Sequence, residues 1–423
     1  MIPYIIIIAI STALVYASIK IEEKTDNKLI IYIARAVAIL FPAIIAGIRY
    51  NVGTDNVGTY KKFFDEIVSG EITYRLREFE IGYVLLNKLI IWLGGNYNVL
   101  MFTASLITIT PIYFGLLHYK EKISVPLGFF MFMVIFYQKS FNLVRQMMSV
   151  AIIFFGFTYL DFKEEGKEHK KYIIIQCIKY IACVLIAGLF QRTSLIMLII
   201  PFVKEMYANP KYKFLSIASY IVLIAIILNF EFIGQIMAKS EKLYYYSMYF
   251  DKEGDTQLSI AYFIRIIPVI IPFFFVMKKI TKDKQMNLLY SMTVIGCILL
   301  LLGYLTSTWG ERISYYFSIF QIVMFPYFIR CLKDNKFLYI ASTVLIIAFN
   351  LAIWYYDYIY MGRDETVPYK TIFGINRNVE QEENNLVNNY EINMVEKVEW
   401  KRKAYQQIIY TIYYIKFLSL FCP

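Results

Sequence analysis

Apolar runs long enough to cross a bilayer recur from one end of this chain to the other, and no other feature limits its fold so sharply. Inside hydrocarbon every backbone N–H and C=O must find a partner within the protein, which leaves α-helices or a closed β-barrel. The runs lack the period-two alternation of barrel strands. The expected fold class is therefore all-α, a polytopic integral membrane protein. Composition agrees: 59% hydrophobic residues and 18% charged residues leave too few charges to coat a soluble protein of 423 residues.

Runs of about 17–22 residues place twelve transmembrane helices near residues 2–19, 29–48, 98–117, 123–137, 141–160, 172–190, 193–207, 214–230, 260–277, 286–306, 312–329 and 337–355. The sixth and seventh nearly touch, as a tight hairpin or re-entrant pair. Two further stretches would raise the count to 13 or 14. "FEIGYVLLNKLIIWLGG" ends on Gly94-Gly95 and reads either as an amphipathic helix at the surface or as an extra span. "AYQQIIYTIYYIKFLSLF", within 404–423, reads as a span or an interfacial helix. Residues 1–375 form one transmembrane domain on this reading, and 376–403, rich in Asn and Glu, form a polar exposed tail.

Counting loops alternately from an external N-terminus, the inner ones contain "KIEEKTDNK", "HYKEK", "DFKEEGKEHKK", "KEMYANPKYK", "KKITKDK" and "RCLKDNK", each basic beside a helix end. That asymmetry predicts an outside N-terminus. It also explains the net charge of +11 as a topology signal: the basic residues form no dense arm, so no nucleic acid is expected as a partner. No basic region precedes the first apolar run, so no cleavable signal peptide is expected. The five cysteines include no CxxC pair, which points to no disulfide framework and no metal site. No internal repeat or matched pair of broken helices supports a transporter.

On this topology Arg49, Arg145, Arg192, Arg265 and Arg312, from five parts of the chain, share one depth near the outer face. The inner loops are basic almost entirely through lysine. Arginine offers a planar fork of donors that matches phosphate oxygens, whereas lysine is a hydrated point charge. Snorkelling to headgroups explains any single arginine as well as a site does, and Arg265 and the mid-span Arg35 fit it best. Arg49, Arg145, Arg192 and Arg312 together favour a site for a polyanion such as a lipid pyrophosphate. Acids near the same face are Asp55, Glu78, Glu80, Asp251, Asp255 and Glu311, the last expected to pair with adjacent Arg312. Asp55, in the Gly53-Thr54-Asp55 turn, reads equally as a turn aspartate and as a general base for a sugar hydroxyl. The tyrosines of "KLYYYSMYF" read as sugar-stacking rings or, more simply, as an interfacial belt.

"GIRYNVGTDNVGTYKKFF", "NLVRQMMSVAIIFFGFTYL", "FQRTSLIMLIIPF", "ERISYYFSIF" and "VPYKTIFG" occur in an order that resembles the EpsG family, the Wzy-like polymerases of exopolysaccharide, capsule and O-antigen. The resemblance covers about residues 1–375. It implies a glycosyltransferase in the cytoplasmic membrane of a bacterium, with a GT-C-like fold and an active site facing outside. Such an enzyme joins oligosaccharide repeat units carried on polyprenyl pyrophosphate, inverting and without metal or other cofactor. The implied partners are that lipid-linked oligosaccharide, membrane lipids, a flippase and a chain-length regulator. Arg49, Gly53, Thr54 and Asp55 match the first motif, Arg145 and Gln146 the second, Arg192 and Ser194 the third, Arg312 and Tyr316 the fourth. The resemblance thus implies catalytic roles for Asp55 and the four arginines, and substrate contacts for the rest. Two positions depart from the pattern: Gln191 stands where a histidine is frequent, and no aromatic follows Asp55. A flippase and an outer-face glycan ligase or glycosyltransferase are the alternative functions.

Overall fold

The computed structural model describes residues 1–70, 79–160, 162, 169–229, 232, 235–236, 239, 260–305 and 308–374. Among them the chain is helical, with no strand. In order come α1 (Ile2–Lys24), α2 (Lys28–Gly47), α3 (Lys62–Ser69), α4 (Ile81–Trp92), α5 (Tyr97–His118), α6 (Val125–Phe132), α7 (Lys139–Asn142), α8 (Val144–Gly156), α9 (His169–Gly188), α10 (Ile200–Ala208), α11 (Lys213–Leu228), α12 (Ile260–Lys282), α13 (Lys284–Leu305), α14 (Thr308–Ser318), α15 (Gln321–Cys331) and α16 (Lys336–Tyr355). Every predicted apolar run contains helix. Asparagines open several: Asn27, Asn96 and Asn335 each accept a bond from a first-turn amide of α2, α5 and α16, satisfying donors the helix cannot.

Five helical stretches among the described residues are long and apolar enough to cross a membrane: Ile2–Lys24, Lys28–Gly47, Tyr97–His118, Pro210–Ile227 and Lys336–Tyr360. Several others are interrupted. The stretch after α9 turns at once into a 3-10 helix over Arg192–Ile199 before α10, so the sixth and seventh runs are joined by a short turn. The helix α4 has 12 residues and is about 18 Å long, well short of the ~30 Å of hydrocarbon. Its amide at Gly82 donates to the Leu189 carbonyl at 2.8 Å. A Cβ at Gly82 would lie 2.7 Å from that oxygen, so only glycine lets α4 approach the end of α9 so closely.

The bundle has two chemically distinct ends. At one, Glu22 binds Arg35 at 2.7 Å and Lys120 at 3.0 Å, Lys122 binds Asp283 at 2.7 Å, and Lys279 binds Asp334 at 2.9 Å. Arg35, expected to snorkel, instead meets a carboxylate from the last turn of α1. Arg330 belongs to this end too, donating to the Lys120 carbonyl at 3.4 Å, whereas the other end holds Arg49, Arg145, Arg265, Arg312 and Arg363. Three π-helical stretches, Asn56–Lys61, Met133–Tyr137 and Tyr356–Tyr360, border the residues of that end described below. Such wide turns shift the side chains that follow them and often mark functional places.

Most helices share one large core, and a smaller aromatic core lies beneath α3 and α4. In the latter Phe63 stacks on Phe79 at 4.0 Å, and Tyr83 stacks on Phe79 at 5.7 Å. Residues 1–369 make one compact unit and 370–423 a second, of which the described part holds a 3-10 turn at Ile372–Gly374.

Candidate functional site

After α2 the backbone turns sharply, with φ of 48° at Asn51 and 104° at Gly53. The left-handed value at Gly53 suits a residue without Cβ, and a Cβ there would meet the Phe141 carbonyl oxygen at 3.3 Å. The turn is held from two distant places. The Gly53 amide donates to the Glu365 carbonyl at 3.3 Å. The Asn142 Oδ1 accepts from the Thr54 hydroxyl at 2.8 Å and from the Asp55 amide at 2.7 Å, while Asn142 Nδ2 donates to Asp364 Oδ1 at 3.1 Å. One amide side chain therefore suspends both the predicted Asp55 turn and a second acid, Asp364. Burial, and then the Asp364 carboxylate, raise the Asp55 carboxyl above its ordinary value, against the opposing pull of Arg312 and Arg145.

The four arginines divide into two kinds. Arg49 is buried, 3% exposed, and its fork is committed to neutral groups. It donates to the Ala46 carbonyl at 2.6 Å, to the Phe141 carbonyl at 3.4 Å and to the Met101 sulfur at 3.1 Å, and it lies 4.6 Å over the Phe141 ring. Arg145 is ion-paired to Glu80 and lies 4.5 Å over the Phe79 ring, at the edge of the small aromatic core. The other oxygen of Glu80 accepts from the Arg192 backbone amide at 3.3 Å. A single carboxylate at the start of α4 thereby ties α8 to the turn before α10. The side chains of Arg192 and Arg312 are exposed and make no ion pair among the described residues. Arg312 is nevertheless close enough to Asp55 to act on its charge.

The remaining predicted contacts fall mostly below the surface. The Gln146 amide donates to the Arg312 backbone carbonyl, joining α8 to α14. Tyr316 is fully buried and its hydroxyl bonds Thr193 at 3.1 Å. Ser194 is fully buried, with no partner for its hydroxyl among the described residues. Gln191 precedes the 3-10 helix and is partly exposed.

Two expectations are corrected. Glu311 does not pair with Arg312: it lies 3.8 Å from Lys139 and 4.0 Å from Arg363 and accepts from the Tyr315 hydroxyl at 2.7 Å. Adjacent residues on a helix point in different directions, whereas Tyr315, four residues on, shares its face. Arg265 does not reach for headgroups but is ion-paired to Asp357, which also lies 3.6 Å from Arg363. Glu78, Asp251, Asp255, the cluster Lys242–Phe250 and the stretch 376–423 lie outside the described residues. Asn142, Lys139, Asp357, Arg363 and Asp364 were not singled out from sequence; Asn142 opens the motif "NLVRQMMSVAIIFFGFTYL", and Asp357, Arg363 and Asp364 had as their signal only the nearness of "VPYKTIFG".

Compared with known proteins, the chain matches a family model described as the EpsG family over residues 32–371. No curated protein and no solved structure matches it.

Proposed function

The chain belongs to the EpsG family, and from that membership we propose that it is a polysaccharide polymerase of the Wzy type. It transfers polyprenyl-pyrophosphate-linked oligosaccharide repeat units onto one another in the cytoplasmic membrane of a bacterium, with its site at the outer face. The observation that best supports this reading is the meeting of Asp55 with Arg145 and Arg312, residues from three distant motifs, in one electrostatic neighbourhood.

The chemistry follows from the two kinds of arginine. The exposed forks of Arg192 and Arg312 suit pyrophosphate oxygens, and Arg145, held over the Phe79 ring and paired to Glu80, adds a further positive charge. Arg49, Gln146 and Tyr316 act as positioning residues, because their polar atoms are already engaged within the protein. The acceptor's sugar hydroxyl gives its proton to the Asp55 carboxylate. Its oxygen attacks the donor's anomeric carbon as the bond from that carbon to the pyrophosphate oxygen breaks. The departing lipid pyrophosphate keeps the electron pair, and the guanidinium groups stabilise the charge growing on it. A single displacement of this kind inverts the anomeric configuration, and the guanidinium groups fill the place of a metal ion at the leaving group. A raised Asp55 pKa serves this step, since a more basic carboxylate takes the proton more readily. Gln191, which cannot act as a base near neutral pH, leaves that role to Asp55.

The test is reconstitution of the purified chain in proteoliposomes with polyprenyl-pyrophosphate-linked repeat units. A ladder of longer glycans, with one polyprenyl pyrophosphate released per bond formed, is expected. Units that cross the bilayer without forming a new bond would make the protein a flippase. Transfer only to an unrelated acceptor would make it a ligase.

A further inference from the structure

Glu80 stands at the N-cap of α4, a position that favours shorter side chains able to close the first turn. Its own side chain bonds no amide of that helix. The carboxylate reaches away from α4 instead. One oxygen meets the Arg145 guanidinium of α8, and the other accepts from the Arg192 backbone N–H at 3.3 Å. Donors from two separate motifs thus converge on one buried anion, and the Gly82–Leu189 bond fixes the backbone from which that anion hangs.

The contact is built to give way. A carboxylate holds an arginine best through two parallel bonds. Here Glu80 offers Arg145 a single oxygen, and the guanidinium Nε stays buried with no hydrogen-bond partner among the described residues. Ser194, two residues beyond Arg192, is fully buried and its hydroxyl is unpaired as well. Buried polar groups left without partners are costly. A phosphate brings three acceptor oxygens and more charge than a carboxylate, which suits a set of donors that one carboxylate leaves incompletely used. Arg145 also lies close enough to Asp55 to act on its charge, so an anion at Arg145 stands in the neighbourhood of the candidate base.

We propose that the Glu80 carboxylate is a resident stand-in for a donor phosphate: it fills the anion seat made by Arg145 and the Arg192 amide while the site is empty, and the incoming pyrophosphate displaces it. The source of that pyrophosphate rests on the polymerase reading above. The exchange keeps Arg145 neutralised between turnovers, and its reversal helps to expel the lipid pyrophosphate after transfer. The probe is inorganic pyrophosphate, titrated into the purified full chain in detergent free of anionic lipid, with affinity read by calorimetry. Glu80→Gln frees the seat and should bind it at least about tenfold more tightly than the parent, whose apparent affinity is reduced to the fraction of time the seat is open. Bound pyrophosphate should also restore the melting temperature that Glu80→Gln loses without it. Glu80→Asp keeps the charge on a shorter stem; it should show a smaller gain, and it decides the matter should Glu80→Gln not fold. Adding Arg145→Gln should abolish the gain. In the polymerisation assay pyrophosphate should inhibit Glu80→Gln at about tenfold lower concentration than the parent. A Glu80 that only supports the fold predicts equal or weaker binding in both variants. That result, or a gain that survives Arg145→Gln, overturns the proposal, and polymer made without the gain leaves the polymerase reading standing. A gain that depends on Arg145, in a protein that forms no polymer, keeps the anion seat and removes the polymerase reading instead.

Discussion

The amide oxygen of Asn142 accepts the backbone N–H of Asp55 at 2.7 Å, so a residue at the end of α7 sets where the candidate base stands. The same side chain also holds Thr54 and Asp364. Replacing it by alanine removes three hydrogen bonds at once. Asn142→Ala should destabilise the protein by about 2 kcal/mol and lower kcat at least tenfold with little change in KM. Thermal unfolding in detergent, alongside steady-state polymerisation, separates the two effects.

Asp55→Asn should lower polymer formation by roughly 10²–10⁴-fold, the usual weight of a general base, while donor binding persists. The parent's rate should fall as pH drops through the raised Asp55 pKa, because only the carboxylate accepts a proton. The stability trend runs the other way. A carboxyl with a raised pKa in the folded state binds its proton more tightly there, so the folded state gains below that pKa and loses the gain above it. Asp55→Asn should therefore be no less stable than the parent at neutral pH.

The acidic limb of the rate profile should move in opposite directions in two variants. Arg312→Ala removes a charge that lowers the Asp55 pKa, and shifts the limb to higher pH. Asp364→Asn removes one that raises it, and shifts the limb to lower pH. Coincident limbs in both variants would show that another group titrates.

The Glu80–Arg145 pair is partly buried and serves two motifs, since Glu80 also receives the Arg192 amide. Removing one partner strands the other, so Glu80→Gln or Arg145→Gln should each cost about 3 kcal/mol. The double variant should be milder than the sum, with a coupling above ~1 kcal/mol in a double-mutant cycle.

The arginines should separate by readout. Arg192→Ala and Arg312→Ala leave exposed sites, so stability should stay within about 0.5 kcal/mol of the parent while the donor KM rises at least tenfold. Arg49→Lys, which loses fork contacts to two backbone carbonyls, should instead lower the melting temperature. Equal melting losses for all three would remove the distinction between ligand contact and support.

The helices were legible in the sequence because they rest on a local pattern, apolar run length. Pairings across the fold were not. Glu311 sits next to Arg312 in sequence, yet helix geometry turns it toward Tyr315 and Lys139. Arg265 looked unpartnered because Asp357 lies 92 residues away. Asp364 carries no motif of its own, and its meeting with Asn142 across 222 residues depends on how the segment after α16 folds back. The short helix α4 was ambiguous for a related reason: its apolar run resembles a span until Gly82 is seen pinned to the end of α9.

That returning segment has a consequence for the order in which the protein becomes competent. Glu365 and Asp364 fasten the Gly53–Asp55 turn, and the Thr366 carbonyl receives the Tyr4 hydroxyl at 2.6 Å. The residues that fix the first motif are thus among the last of this unit to leave the ribosome. During synthesis the early helices must wait in the bilayer with the Asp55 turn unfastened, and competence arrives in one late step, when the segment behind α16 closes against α1.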